Sequence, residues 1–443
     1  MSHSRREFLR RGLVIGAAAA ASRFGLLNVL AQGTDYKALV CIFLYGGNDS
    51  NNMVIPNGTD GYQAYARARG PLALPQASLL PIQLSSNGAR FGLHPNLSEL
   101  RPLWMQNKLA VLCNVGTLVE PVTRADYEAG SKRLPTQLFS HQDQQDQWQT
   151  SKSDGPIITG WGGRIADRVL ALNGSVAFPM IISAGGDELF VSAAEADSLG
   201  IDPNSAFAAE GFDDSPESAA RYSGLRQALL LDTDHTLVRA ASTITKRALD
   251  SEQILNRALA ARVTTAFPAT DLGAQLAQVA HIIAGRSITG LKRQIFFCAQ
   301  GGYDTHSDEL NSHAQLYTEL SQAMRSFYAA TVELGVAPQV TTFTLSDFGR
   351  TFRPNTDGTD HGWGSHQLII GGAVRGGDFY GTFPTLDVAG PDSTDEEGRW
   401  IPTTAVDQYA ATLASWFGVS ASDTTVVVPN IGRFAKANLG FLA

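Results

Sequence analysis

Six stretches of this chain are nearly unbroken runs of apolar residues and threonines of strand length: 37–45, 109–115, 178–183, 293–299, 339–346 and 367–371. They lack the in–out alternation of a half-solvated strand, as strands covered on both faces do. Between them the apolar period becomes helical. It is clearest over 308–334, where Leu310, Tyr317, Leu320, Met324 and Phe327 recur at helical spacing. Residues 96–106 and 404–417 also read as helices. Strands alternating with helices predict an α/β domain built on a mostly parallel sheet with helices on both faces.

Residues 215–290 break this rhythm. They are Ala/Leu/Arg-rich, with helical patterns over 234–262 and 271–285 and little strand signal. Thr270-Asp271 has the chemistry of an N-cap for the second of these. The pattern predicts a helical insertion at about 215–290 within a single domain spanning 33–443. Residues 195–216 and 385–399 are polar and read as loops.

Three of the strand runs end in glycine-flanked acids. The first runs into Gly46-Gly47-Asn48-Asp49, the 293–299 run into Gly301-Gly302-Tyr303-Asp304-Thr305-His306, and the 339–346 run into Asp347-Phe348-Gly349-Arg350. Asp360-His361-Gly362 and His366 follow closely. In open α/β sheets the C-terminal strand edge is where ligands bind. Divalent metals need three or four N/O ligands converging at roughly 2 Å. Asp49, Asp304, His306, Asp347, Asp360, His361 and His366 are therefore the candidate metal ligands. Most have a plainer reading: a helix cap or Asx-turn for Asp49, a turn for Asp304, a helix cap for His306, a partner for Arg350 or Arg353 in the case of Asp347, and a plain polar loop for Asp360 and His361. Seven such residues together are harder to explain as separate turns. His94, His235 and His281 suggest no ligand role, and His313 reads as facing solvent or the sheet.

Composition changes this picture little. The chain has 443 residues, 44% apolar and 17% charged, with a formal charge of −8. An acidic balance argues against non-specific binding to nucleic acid or anionic membrane. Cys41, Cys113 and Cys298 each lie in an apolar run and read as buried free thiols. The N-terminus adds more. Ser4-Arg5-Arg6-Glu7-Phe8-Leu9-Arg10, an Ala-rich run over 13–21 and Val29-Leu30-Ala31 form a twin-arginine secretory signal over 1–32. The expected partner is the twin-arginine export machinery, and the expected location is periplasmic or extracellular. The apolar run is too short for a spanning helix, so no membrane span is expected in the mature protein. Without residues 1–32, which hold five Arg and one Glu, 29 basic and 41 acidic residues remain, a formal charge of −12.

These motifs resemble those of the bacterial "domain of unknown function 1501" family. The likeness covers nearly the whole chain: the twin-arginine start, Gly46-Gly47-Asn48-Asp49, Gly92-Leu93-His94-Pro95, Trp148-Gln149-Thr150, Gly301-Gly302-Tyr303-Asp304-Thr305-His306, Ser346-Asp347-Phe348-Gly349-Arg350-Thr351, Asp360-His361-Gly362 and Pro429-Asn430-Ile431. The family in turn is similar to the alkaline phosphatase and sulfatase superfamily. That resemblance implies an alkaline-phosphatase-like fold and a divalent metal (Zn, Ca, Mg or Mn). Asp49 matches the superfamily's first ligand, Asp304 and His306 its Asp/His pair, and Asp347 the aspartate of its late segment. Phe348 stands where a second late ligand is expected, and His361 or His366 would replace it. A hydroxyl nucleophile is expected after the 109–115 run. Thr117, Thr123 and Ser140 are the candidates, with Arg124 as an anion-binding residue. The implied activity is hydrolysis of a small anionic phosphate or sulfate ester. The alternative is a non-catalytic envelope or binding protein that keeps the fold and one structural metal. Phosphate-sugar mutase chemistry is a weaker third.

Overall fold

The structure is a computed structural model that describes residues 35–155, 158–205, 212, 215–231 and 235–443. The twin-arginine segment lies outside them. Twelve strands occur among the described residues: β1 (Lys37–Leu44), β2 (Val54–Pro56), β3 (Leu80–Gln83), β4 (Arg90–Leu93), β5 (Leu109–Gly116), β6 (Ile181–Ser183), β7 (Ser198–Gly200), β8 (Arg293–Gln300), β9 (Val340–Ser346), β10 (Ser365–Gly371), β11 (Phe379–Gly381) and β12 (Thr404–Ala405). The main sheet has the order β11-β5-β10-β9-β1-β8-β6-β7, with β12 beside β5. Only β10 runs antiparallel to its neighbours; the other pairs are parallel. The architecture is thus α/β on a mostly parallel sheet.

The central strand shows why. Ala38 to Leu44 of β1 are all fully buried, which an apolar run achieves only with layers on both sides of it. The helices Trp161–Val169, Asp271–Ala284 and Val406–Phe417 pack against the sheet. The long helix Glu309–Glu333 packs on Asp271–Ala284. Cys41, Cys113 and Cys298 are buried free thiols.

Among the described residues of 216–289 there are four helices, Pro216–Ala228, Thr236–Leu259, Asp271–Ala284 and Arg286–Thr289. Thr270 caps the third, its side chain accepting from the Gly273 amide at 3.1 Å. The helix expected over 96–106 shrinks to Arg101–Met105. Pro102 has no amide hydrogen and so belongs in a first turn, which fixes the start there. Thr404 and Ala405 pair with Val115 and Gly116 as a strand before the Val406–Phe417 helix begins. A small antiparallel sheet, β2-β4-β3, has strands of three or four residues, too short to leave a sequence period. No described helix is long and apolar enough to cross a membrane.

What positions the site is the adjacency of β8, β1 and β9. All three run parallel, with Leu44 opposite both Gln300 and Ser346. The loops that carry Asp304, Asp49 and Asp347 therefore leave the same edge side by side. The loops after β1 and β8 press together. Tyr303 N donates to Tyr45 O at 3.0 Å, and a Cβ on Gly46, which holds φ +113°, would stand 2.3 Å from the Asp304 amide nitrogen.

Candidate metal centre

Three chain segments meet at this edge. The loop after β8 brings Asp304 and His306. The segment after β9 brings Asp347, then doubles back so that Arg350 and His361 form an isolated antiparallel bridge. Gly349 and Gly362 lie at the crossing, with Gly362 N donating to Gly349 O at 2.7 Å. The helix His141–Thr150 begins at the cluster, with Ser140 as its N-cap residue.

The carboxylate of Asp304 is the hub. Its Oδ1 lies 3.0 Å from His306 Nε2, 3.3 Å from His361 Nε2 and 2.8 Å from Arg350 Nη1, and its Oδ2 lies 3.4 Å from His141 Nε2. The other nitrogen of each imidazole is held by an oxygen acceptor. His141 Nδ1 is 2.7 Å from Asp347 Oδ2, His361 Nδ1 is 2.7 Å from the Phe139 carbonyl, and His306 Nδ1 is 3.2 Å from Asp360 Oδ1. A carbonyl or ionised carboxylate only accepts, so each Nδ1 carries a proton; each Nε2, facing the Asp304 carboxylate, then either carries a second proton, making the ring an imidazolium, or offers its lone pair to a cation held between them. Phe139 adopts φ +72°, an uncommon region for a non-glycine residue, in delivering its carbonyl to His361.

This arrangement fits a cation. His306 Nε2 and His361 Nε2 are 3.1 Å apart, and two lone pairs at that distance need a proton or a cation between them. The buried His141 Nε2 makes no hydrogen bond. His141, Asp304 and His361 offer ligand atoms within 4.8 Å of one another, and His306 adds a fourth donor. An imidazole whose far nitrogen is bound by a carboxylate or carbonyl is the usual form of a metal-ligating histidine. The side chains of Asp304 and His306 are 44% and 45% exposed, so the cluster is open on one side. Phe348 closes another side, with ring centroids 4.7 Å from His361 and 4.8 Å from His141.

Local charges set the protonation. The hydrogen bond that His141 donates to Asp347 raises His141 above its ordinary value, against the effect of burial. Burial lowers His361. Burial works to raise the Asp304 carboxyl, but the Arg350 hydrogen bond and charge hold it below the usual range.

The other expected residues stand as follows. Asp347 is at the cluster but fully buried. It accepts from Gly46 N at 3.1 Å, Gln145 Nε2 at 2.8 Å and His141, so it orients His141 rather than facing the open side. Asp360 accepts from Asn355 at 2.9 Å and orients His306. Asp49 is not part of the cluster. It caps the short helix Ser50–Met53, and its Oδ2 is 2.5 Å from Arg69. Burial favours the neutral form of Asp49, yet the Arg69 charge holds it ionised and low. Glu309, pushed up to about 8 by burial and by Asp49, shares the same Arg69. His366 lies elsewhere, against Phe383 at 4.9 Å, with Nδ1 accepting from Asn114 N at 3.0 Å and burial lowering it to about 4.

Among the expected nucleophiles, Thr117 is fully buried and donates to Gln144 at 2.6 Å. Ser140 lies between Phe139 and His141, both of which contact the cluster, and its Oγ donates to Asp143 at 2.7 Å. Thr123 caps another helix, Arg124–Ala129. Arg124 is bound to Glu128 at 2.8 Å and to the Gly390 carbonyl at 3.0 Å, so it does not serve the cluster.

Residues 36–394 match the family model described as "Protein of unknown function (DUF1501)". The chain belongs to the DUF1501 family. No curated protein matches it. Among solved structures, this DUF1501 protein is similar to the lipoteichoic acid synthase of Listeria monocytogenes at 9% identity, covering 84% of this chain and 76% of that one with a TM-score of 0.34. It is also similar to a sulfatase from Pseudoalteromonas sp. at 10% identity, 90% and 70% coverage and a TM-score of 0.37. A mutant alkaline phosphatase overlaps at 10% identity, 71% and 64% coverage and a TM-score of 0.27. Overlaps at these TM-scores carry no weight for the chemistry of the DUF1501 chain.

Sequence reasoning did not single out His141 as a member of the cluster, nor Gln145, Arg69 and Glu309 as its neighbours. His141 stands at the first position of the helix His141–Thr150, and only the docking of that helix on Asp347 brings its ring to the cluster. Arg69 and Glu309 sit in ordinary helical sequence and carry no motif.

Proposed function

We propose that this DUF1501 protein is an exported, metal-dependent hydrolase of phosphate or sulfate esters. The observation that carries the reading is the convergence of His141, His306 and His361 Nε2 on the Asp304 carboxylate, each ring oriented through its Nδ1. His141, Asp304 and His361, joined by His306, would hold the ion, and a mixed imidazole and carboxylate set suits zinc or manganese better than calcium. When bound, the ion would supply Lewis-acid stabilisation of charge on the ester oxygens. Ser140 is the hydroxyl best placed to attack, and Asp143, 2.7 Å from its Oγ, is a carboxylate able to take its proton. Phe348 shields the imidazoles from water on one side. The twin-arginine element supports delivery across the membrane by that export machinery to the periplasm or beyond, and the acidic charge argues against nucleic-acid partners.

The test is direct. Purified mature protein should retain stoichiometric zinc or manganese by elemental analysis and hydrolyse aryl phosphates or aryl sulfates. Undiminished turnover in an Asp304→Ala variant would sink the reading. A second reading, a non-catalytic protein with one structural metal, draws support from the arginines at the site. Arg350 is spent on Asp304 and Thr359, and Arg399 on Asp395 and Glu397. It predicts no turnover on any ester while removal of the metal still lowers Tm.

A further inference from the structure

Beside the metal centre lies a second acid pair that the centre does not use. Asp49 and Glu309 are buried, with side chains 0% and 1% exposed, and the equally buried Arg69 lies between them. Arg69 Nη2 is 2.5 Å from Asp49 Oδ2 and 3.1 Å from Glu309 Oε1. Its Nη1 donates to the carbonyls of Thr351 at 3.2 Å and Phe352 at 3.0 Å. The guanidinium is thus surrounded by four oxygens, two from carboxyl groups (Asp49 held ionised, Glu309 pushed toward its neutral form) and two from the backbone, with no nitrogen or sulfur among them.

The outer face of this cage is equally ordered. Asn51 holds Asp49 Oδ1 through its amide and side chain at 3.2 and 3.0 Å. Thr305 and Thr359 hydroxyls both donate to Glu309 Oε2. Oxygens of this kind, carboxylate and carbonyl, are the ligands of hard cations. A guanidinium prefers planar, bidentate pairing that uses its whole fork. Here one nitrogen bridges both acids, and the buried Nε of Arg69 has no partner. The cage therefore satisfies four of the five guanidinium N–H groups and leaves the Nε–H of Arg69 without an oxygen.

We propose that Arg69 is the resident cation of an all-oxygen slot, filling with its own side chain a place whose donors suit a hard divalent ion. The chain consequently takes one metal, at the histidine cluster, and Arg69 closes a second site. The count rests on the metal-centre reading; the slot does not. The two places are joined: Thr359 Oγ1 binds Glu309 Oε2, accepts from Arg350 Nε at 3.1 Å, and Arg350 Nη1 reaches Asp304 Oδ1 at 2.8 Å. Each acid site thus has its own arginine, and one threonine ties them.

The experiment compares the wild-type chain with Arg69→Ala by native mass spectrometry, calorimetric titration and thermal melting, using calcium, manganese and methylguanidinium as separate probes. The wild type is expected to bind one manganese and to show no change in Tm with calcium or methylguanidinium. Arg69→Ala is expected to bind one ion more than the wild type and to gain Tm with both calcium and methylguanidinium. A variant that binds no additional ion and gains nothing from either probe overturns the proposal. So does anomalous density between Asp49 and Glu309 in manganese-soaked wild-type crystals, a result that does not depend on the variant folding. A wild type that binds no metal, paired with a variant that binds one, supports the slot while removing the hydrolase reading.

Discussion

His141 Nδ1 lies 2.7 Å from Asp347 Oδ2, and Asp347 is fully buried at the end of β9. The strand end thus does not present its acid to the open side; it uses the acid to fix a histidine delivered by a different part of the chain. Gln145, one turn further along the same helix, donates to the same oxygen at 2.8 Å. The helix His141–Thr150 is therefore docked on Asp347 by two side chains, and the direction of His141 Nε2 follows from that docking.

Asp347→Asn tests this orienting role. The amide keeps the volume but places a donor opposite His141 or Gln145, so the preferred tautomer of His141 is lost. Metal affinity is expected to weaken by about 10–100-fold, the usual cost of losing such a carboxylate. Competition with a chromophoric chelator measures it. Affinity equal to that of the wild type would show that His141 is not a ligand.

Metal binding should also depend on pH in a direction set by the same bond. The Asp347 hydrogen bond raises His141, so the imidazolium form persists to higher pH than in a free histidine. An ion displaces that proton, and affinity must fall as pH drops through the histidine range. In Asp347→Asn the raising contact is gone, and proton competition should set in at lower pH. Chelator competition across pH 5 to 8 reads the shift, and curves of identical midpoint would refute it.

A third prediction concerns Phe348, the residue that occupies the place of an expected ligand. Its ring packs against both His141 and His361 and rests on Gly47, which holds φ +86°. A Cβ on Gly47 would stand 2.4 Å from Phe348 Cε2. Gly47→Ala therefore combines backbone strain with displacement of the ring, at a cost of about 1–3 kcal/mol. The displaced ring should disturb the imidazoles, so metal affinity is expected to fall with Tm. A loss of stability with unchanged affinity would separate the phenylalanine from the centre.

The sheet was legible because its strands are buried on both faces. A run such as 37–45 has no way to be solvated and so advertises itself. The location of the site was legible for a related reason: β8, β1 and β9 are adjacent, and their loops carry acids. What was not legible was the division of labour. Asp49 and Asp347 look alike in sequence, each an acid just past the end of an apolar strand run, after Asn48 and Ser346 respectively. One pairs with Arg69 on a helix 20 residues away, and the other with His141, which is 206 residues distant. Those partners come from helices whose docking depends on the whole core, and no local period encodes it. His366 fails for the same reason: it begins a strand buried against Phe383, and burial rather than residue type decides its role.

A final prediction lies away from the centre. Asp407, in the first turn of the helix Val406–Phe417, is fully buried. Burial pushes its carboxyl up to about 7, opposed in part by the charge of Arg164. Neither carboxylate oxygen is within hydrogen-bond geometry of a partner side chain, so the burial is what decides the direction. A carboxyl whose folded value is raised keeps its proton in the folded state after the unfolded chain has lost it. Its contribution to stability is then fully present below about pH 4 and is lost as pH rises toward 7. Over that window the loss is on the order of 4 kcal/mol. Asp407→Asn removes the titration while keeping the shape. The variant should gain on the wild type as pH rises from 4 to 7, and the gain should level off above that. Urea unfolding of both proteins at several pH values reads the difference directly. A difference that stays constant with pH would mean that Asp407 is ionised in the folded protein and held by Arg164.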